Sequence, residues 1–359
     1  MSEKKQIYYY VLAILLIFAV FLNIKSHLPY SAMDDNFSMM YIKLGDKFSK
    51  AESYELANFY YKAAMKVSKK THWLDYNIAK NIILECWDMP KGKHKEQKLN
   101  EAVERLNIEL KKHPGHSHIL AQLGHAYYLL EDYDNSIKYY KLTLEKDPKY
   151  VYALNKLARI YSDVKKEYEI ALGYIEQIIK IEPDNNENYF LYGWILSALE
   201  RNEDAISAYN KYLEKNPNSV AALVNISGCE IDVKDYENAK KHVELGLKHN
   251  SHSSYLLSHK ADILLHEHKF DEAALIANEI NKHYYNGYIG YTKLAKIEKY
   301  KGNTTQADEY YQKAKENAKE YCIKFCDKPF DLSDIDGNCR NRYYYLENFD
   351  INRTKPLDF

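Results

Sequence analysis

Ala171, Ala205, Ala239, Ala273 and Ala307 each stand 34 residues after the last. A period held that long constrains the fold more than any single residue, because it describes an array of like units and not one globular core. The ladder extends backwards through Ser136, Ala102 and Ala57, with one extra residue before Ala171 and eleven more between Ala57 and Ala102. A second small residue precedes each rung, 12 positions earlier in the unbroken units: Gly45, Ala79, Gly124, Ala158, Gly193, Ser227, Ala261 and Ala295. Pro114, Pro148, Pro183 and Pro217 close four of the units.

Two helices cross closely only where the side chains at the crossing are small. Larger apolar residues flank these points at helical spacing: Leu120, Leu123, Tyr127 and Tyr140 in one unit, and Tyr189, Tyr192, Leu196 and Tyr209 in another. Proline stops the second helix, since it lacks an N–H and disfavours helix in the residue before it. Each unit therefore reads as a helix–turn–helix hairpin whose apolar faces need neighbours.

This pattern resembles the tetratricopeptide repeat, a 34-residue unit with a Leu-Gly-Tyr…Ala…aromatic…Pro signature, most clearly over Ser117–Pro148 and Asn186–Pro217. The resemblance implies an all-α fold, a right-handed superhelical solenoid of about eight repeats. They are placed at 38–71, 72–116, 117–150, 151–185, 186–219, 220–253, 254–287 and 288–321. A short tail (1–6), an apolar segment (7–24) and a linker (25–37) precede them, and a cap or tail (322–359) follows. The eleven-residue insertion, near Cys86–Gln97, is expected to lengthen the inter-helix turn, where Pro90 and Gly92 fit. The basic run Lys91–Lys98 would then be a solvated turn.

Composition agrees with an all-α chain: 12 glycines and 8 prolines in 359 residues, with abundant Leu, Lys, Glu and Tyr. Of the 36 tyrosines, Tyr61, Tyr140, Tyr209 and Tyr311 occupy repeat core positions. The formal net charge is −1. That balance argues against nucleic acid as the main partner, which requires concentrated positive charge.

Ile7–Leu22 is uninterrupted and apolar, and Asn23 and Ile24 extend it to a length of roughly 27 Å as a helix, enough for a single transmembrane span. Tyr8, Tyr9 and Tyr10 suit the headgroup region. A cleaved signal peptide fits less well, because Ala32 as the −1 residue puts Tyr30 at −3. Lys4 and Lys5 before the span put the N-terminus in the cytoplasm and the repeats across the membrane, in the periplasm if the source is bacterial.

Five cysteines occur. Cys229 reads as a buried apolar residue. Cys322, Cys326 and Cys339 follow the last repeat. Three thiols without a histidine beyond His283 fall short of a four-ligand zinc site. A disulfide from Cys339 to Cys322 or Cys326 would staple a cap over the last repeat if the domain is extracytoplasmic; the alternative is three reduced packing residues. Asp334–Asn338 fails the calcium-loop template at Leu332 and Tyr343. His266-Glu-His268 and the group His113, His116 and His118 read as surface histidines. No phosphate loop, nucleophile elbow or paired-carboxylate motif occurs, and no cofactor or metal is expected.

In tetratricopeptide repeats the first helices line a concave groove that holds peptides or partner helices. The groove positions carried onto this chain include His125, Tyr128, Tyr152, Asn155, Arg159, Phe190 and Trp194. Phe190 and Trp194, four apart on one helix face, are expected as an aromatic hot spot. The family's chaperone-binding members grip a terminal carboxylate with Lys at the fifth and Asn at the ninth position; no unit here matches. The resulting expectation is a membrane-anchored, non-catalytic scaffold for a protein or peptide partner. The alternative is an envelope-assembly regulator with a C-terminal cysteine module that binds metal or forms a disulfide.

Overall fold

The computed structural model describes residues 30–68, 73–282 and 287–326. Among them are sixteen α-helices and no strand. In chain order they are α1 (Tyr30–Lys50), α2 (Tyr54–Val67), α3 (Leu74–Cys86), α4 (Lys93–Lys112), α5 (Ser117–Leu129), α6 (Tyr133–Lys146) and α7 (Val151–Arg159). The chain continues as α8 (Tyr168–Ile181), α9 (Asn188–Ala198), α10 (Asn202–Leu213), α11 (Val220–Asp232), α12 (Tyr236–His249), α13 (Ser254–His266), α14 (Phe270–Lys282), α15 (Gly287–Tyr300) and α16 (Thr304–Cys326). They fall into two compact units, residues 1–165 and 166–359.

In the first unit α1 packs on α2, α3 on α4, and α5 on α6, and each hairpin packs on the next. In the second, α9–α10, α11–α12, α13–α14 and α15–α16 repeat the arrangement behind α8. First helices also touch first helices: α3 meets α5, α9 meets α11, α11 meets α13, and α13 meets α15.

The ladder residues lie at the helix crossings. Ala57, Ala102, Ser136, Ala171, Ala205, Ala239 and Ala273 are fully buried. Ser136 adds a bond, its hydroxyl donating to the Gly124 carbonyl at 2.8 Å. A methyl group on Gly124 would come within 2.8 Å of the Tyr140 ring, and one on Gly193 within 2.9 Å of the Tyr209 ring. Glycine is required there to seat a tyrosine from the second helix.

Six of the hairpin turns share one design. The second residue past the first helix takes a left-handed backbone at Glu52, Glu131, Glu200, Lys234, His268 and Gly302. The next N–H reaches back to the first helix, as Arg201 does to Leu196 (3.0 Å) and Asp235 to Glu230 (2.7 Å). These are Schellman-type closures, which satisfy carbonyls that the helix end leaves free. Asp132 and Asp235 then cap the second helices by accepting from the backbone N–H three residues on.

Both irregularities in the period have visible consequences. The extra residue before Ala171 coincides with a π-helical turn at Ile160–Lys165, directly after α7, a known way for a helix to absorb one residue. The insertion is taken up differently from the expectation. The turn spans only 87–92, and α4 runs for 20 residues where α6 and α12 run for 14. Lys93–Lys98 are therefore helical, and the basic run is not a solvated turn. Two of its lysines meet carboxylates, Lys98 pairing with Glu85 and Glu55 and Lys91 lying 2.6 Å from Glu131, while Lys95 donates to the Met89 carbonyl.

No helix among the described residues is long and apolar enough to cross a membrane. The expected span, 7–24, lies outside the described residues. So do Cys339 and the side chains of Cys322 and Cys326, whose backbone belongs to α16.

Candidate functional site

In the first unit, α5 and α7 bring five expected groove residues to one face. His125 and Tyr128 come from α5, and Tyr152, Asn155 and Arg159 from α7. The α5–α6 crossing supports this face from below: Gly124 seats Tyr140, and Tyr152 meets the Tyr140 ring edge-on at 6.3 Å. Tyr152 remains 38% exposed, and its hydroxyl lies 2.8 Å from His125 Nδ1. His125 itself is only 6% exposed, and its Nε2 is buried without a hydrogen-bond partner. Either nitrogen can carry the proton, and in both tautomers Nε2 is left unmatched. On the outer turn Arg159 Nε donates to Asn155 Oδ1 at 3.2 Å.

Two residues absent from the expected groove complete the cluster. Trp87, in the turn after α3, meets His125 at 5.3 Å between ring centroids. Lys156, on α7, is 8% exposed. Its ammonium lies 4.6 Å from the Trp87 ring centre, 4.9 Å from that of Tyr128 and 5.4 Å from that of Tyr152. An ammonium facing three rings gains from their negative faces but makes no ion pair among the described residues. Burial, and then the Arg159 charge, push Lys156 down to about 8. Burial, and then Lys156, push His125 down to about 3, so the imidazole is neutral at physiological pH. Lys156 escaped the expectation because it holds the sixth position of its unit, outside the positions that the resemblance assigns to the groove.

The second unit carries its own polar cluster on first helices. Asp262 on α13 receives Lys293 at 2.5 Å and Lys296 at 2.9 Å, both from α15. The two lysines hold the Asp262 carboxyl far below the usual carboxylate range against the opposing effect of burial. His259, one turn earlier on α13, accepts or donates to the Ser227 hydroxyl at 2.9 Å, and burial lowers it to about 4.

Phe190 and Trp194, also in the second unit, are half-buried. Phe190 packs on Tyr212 at 5.1 Å and on Tyr209 at 6.0 Å, and Trp194 meets Tyr168 at 5.9 Å. Both rings are part of the packing of their own unit. His113 and His116 flank Trp73, with His113 stacked on its ring at 4.5 Å.

Family models of the tetratricopeptide repeat match residues 117–150, 155–220 and 289–321. A relative named tetratricopeptide repeat protein 8, from Caenorhabditis elegans, is 25% identical over 224 residues, 61% of this chain and 44% of that protein. Anaphase-promoting complex subunit 3 of Schizosaccharomyces pombe is 23% identical over 175 residues, 46% of this chain and 26% of the relative. The chain thus spans less than half the length of both. Among solved structures, a tetratricopeptide repeat protein from Parabacteroides merdae superposes with a TM-score of 0.51 at 17% identity, covering 75% of this chain and 99% of that one. Helix pairs on one period, matched by the repeat models in three separate stretches, identify residues 117–150, 155–220 and 289–321 as tetratricopeptide repeats.

Proposed function

We propose that the chain is a non-catalytic scaffold that holds a protein or peptide partner on the first-helix face of its hairpins. The observation that carries this reading is the α5–α7 face, where the half-exposed Tyr152 and Tyr128 surround a lysine that has no carboxylate partner among the described residues. Rigid aromatic rings around a desolvated charge are the composition of interface hot spots. The near-neutral charge of the whole chain supports a protein partner over nucleic acid. The apolar 7–24 segment supports attachment to a membrane, and Lys4 and Lys5 support a cytoplasmic N-terminus with the repeats on the other side.

A photo-crosslinking amino acid at position 152 tests the binding face. It should capture a partner that the same group at Glu145, exposed on second helix α6, does not. Equal capture at both positions would overturn the reading. Attachment is tested by carbonate extraction of membranes with protease added from either side. Release of the full chain by carbonate would remove the anchor from the proposal.

A further inference from the structure

The two polar clusters occupy equivalent places in the repeat. Asp262 is the ninth residue of its unit, and Lys293 and Lys296 are the sixth and ninth of the unit that follows. His125 is likewise the ninth of its unit, and Lys156 and Arg159 are the sixth and ninth of the next. The geometry recurs a third time. The sixth-position His259 lies against the ninth-position Gly228, where an added methyl group would meet the imidazole at 3.4 Å. In this stack the sixth residue of one unit faces the ninth of the unit before it.

In the second unit this arrangement holds one carboxylate between two ammonium groups. In the first unit both cations are present and the carboxylate is replaced by a neutral imidazole. Among the described residues Lys156, nine-tenths buried, makes no ion pair, and the Arg159 guanidinium meets only the amide of Asn155. The nearby Asp163 does not fill the gap: it lies out in the π-helical turn and accepts from the Ser162 hydroxyl at 2.8 Å. A buried charge without a counter-charge is costly, and the chain's own equivalent site shows what satisfies it.

We propose that the Lys156–Arg159 pair, framed by Trp87, Tyr128 and Tyr152, is a subsite for an acidic side chain of the bound partner. The aspartate or glutamate takes the place that Asp262 occupies in the second unit. This rests on the first-helix face being the partner surface. The internal counterpart is a side-chain carboxylate, which favours an Asp or Glu within a partner segment over a chain terminus. The residues also differ from the fifth- and ninth-position pattern of chaperone-type terminal clamps.

The test uses the full chain in detergent and three labelled decapeptides. One alternates alanine and glutamate and is capped at both ends. The second is its glutamine counterpart. The third is the glutamine peptide with a free C-terminal carboxylate. The capped glutamate peptide should bind, and the capped glutamine peptide should bind at least about tenfold more weakly, as expected for one charge-assisted contact. Lys156→Met should lose a similar factor. His125→Asp should also abolish binding, by supplying the carboxylate from within, while His125→Asn should retain it. Circular dichroism of each variant shows whether it is folded, and the opposite outcomes expected for His125→Asp and His125→Asn separate a blocked site from a damaged one. Equal binding of the capped glutamate and glutamine peptides overturns the proposal, as does full binding by His125→Asp. Preference for the free-terminus peptide alone overturns it in favour of a terminal clamp. Partner capture at position 152 without acidic preference sinks this subsite and leaves the docking face standing; loss of capture sinks the face itself.

Discussion

Gly193 and Tyr209 are sixteen positions apart and meet where α9 crosses α10. Position sixteen after the small residue carries tyrosine wherever that residue is glycine: Gly45 with Tyr61, Gly124 with Tyr140, Gly193 with Tyr209. After Ser227 and Ala261 it carries Val243 and Ala277, and after Ala295 it carries Tyr311. Gly193→Ala should therefore cost about 1–3 kcal/mol through overpacking, and adding Tyr209→Val should recover part of the loss; urea unfolding of the single and double variants measures both. A second expectation concerns Lys156. Its folded value of about 8 lies below the ordinary lysine value of 10.5, so between those pH values the folded chain binds fewer protons than the unfolded one. Stability at this site therefore rises as pH increases from about 8 to 10.5, and below 8 the full penalty of the buried charge is present. Lys156→Met should raise the pH 7 stability by an amount of the order of 1–3 kcal/mol, and the gap from the wild type should close towards pH 10. Thermal melts of both proteins from pH 7 to 10 decide it; a gap independent of pH would mean that the lysine charge is already compensated. The small residues were legible because steric need at a helix crossing leaves a periodic trace. Lys156 was not, because the resemblance assigns no role to the sixth position. The readable signal was internal: His125, Lys156 and Arg159 hold the same repeat positions as Asp262, Lys293 and Lys296.

At the scale of the element, departures from the period say where a helix must adapt but not how. The spacing of Ala158 and Ala171 locates one extra residue, and Ile160–Lys165 absorbs it as a π-helical turn. The longer insertion near Cys86 was expected to go into the turn around Pro90 and Gly92, and only part of it does. The remainder winds on as the first turns of α4, because Lys93-His-Lys-Glu-Gln-Lys98 has good helix formers and finds Glu85 and Glu55 as counter-charges. The left-handed residue of these hairpin turns was illegible for a different reason. Glycine marks it only at Gly302, while Glu52, Glu131, Glu200, Lys234 and His268 hold the same backbone at a steric cost. That cost predicts a stabilising substitution. Lys234→Gly at φ 64° should relieve it and keep the closure from Asp235 N–H to the Glu230 carbonyl, for a net gain of about 0.5–1 kcal/mol after the added freedom of the unfolded chain. A higher urea midpoint at unchanged slope is the expected result; a lower midpoint would show that the lysine side chain contributes more than its backbone costs.

At the scale of the whole molecule, within each of the two units the described hairpins pack chiefly on the next one along. In the second unit α9–α10 packs on α11–α12, which packs on α13–α14, which packs on α15–α16, and the first-helix contacts follow the same order. Stability is then a sum over hairpins and the interfaces between adjacent ones, without a single core that all parts share. The buried clusters reflect this: Leu196 belongs with Tyr189, Ala205 and Tyr209, whereas Leu294 and Ile297 belong with Leu265, Ala273 and Ala277. Truncation at one end should be felt locally. Leu196 is fully buried, and Leu196→Ala removes packing worth about 2–5 kcal/mol. Amide hydrogen exchange followed by mass spectrometry should show faster exchange in α9, α10 and α11 and protection unchanged within error in α15 and α16. A uniform loss of protection across all of these helices would instead mean that the unit unfolds as one cooperative body. The same locality is what allows one pair of first helices to carry an open cation while an equivalent pair carries a closed ion cluster. Neighbour-only coupling lets each hairpin face change its chemistry without disturbing the packing of hairpins further along.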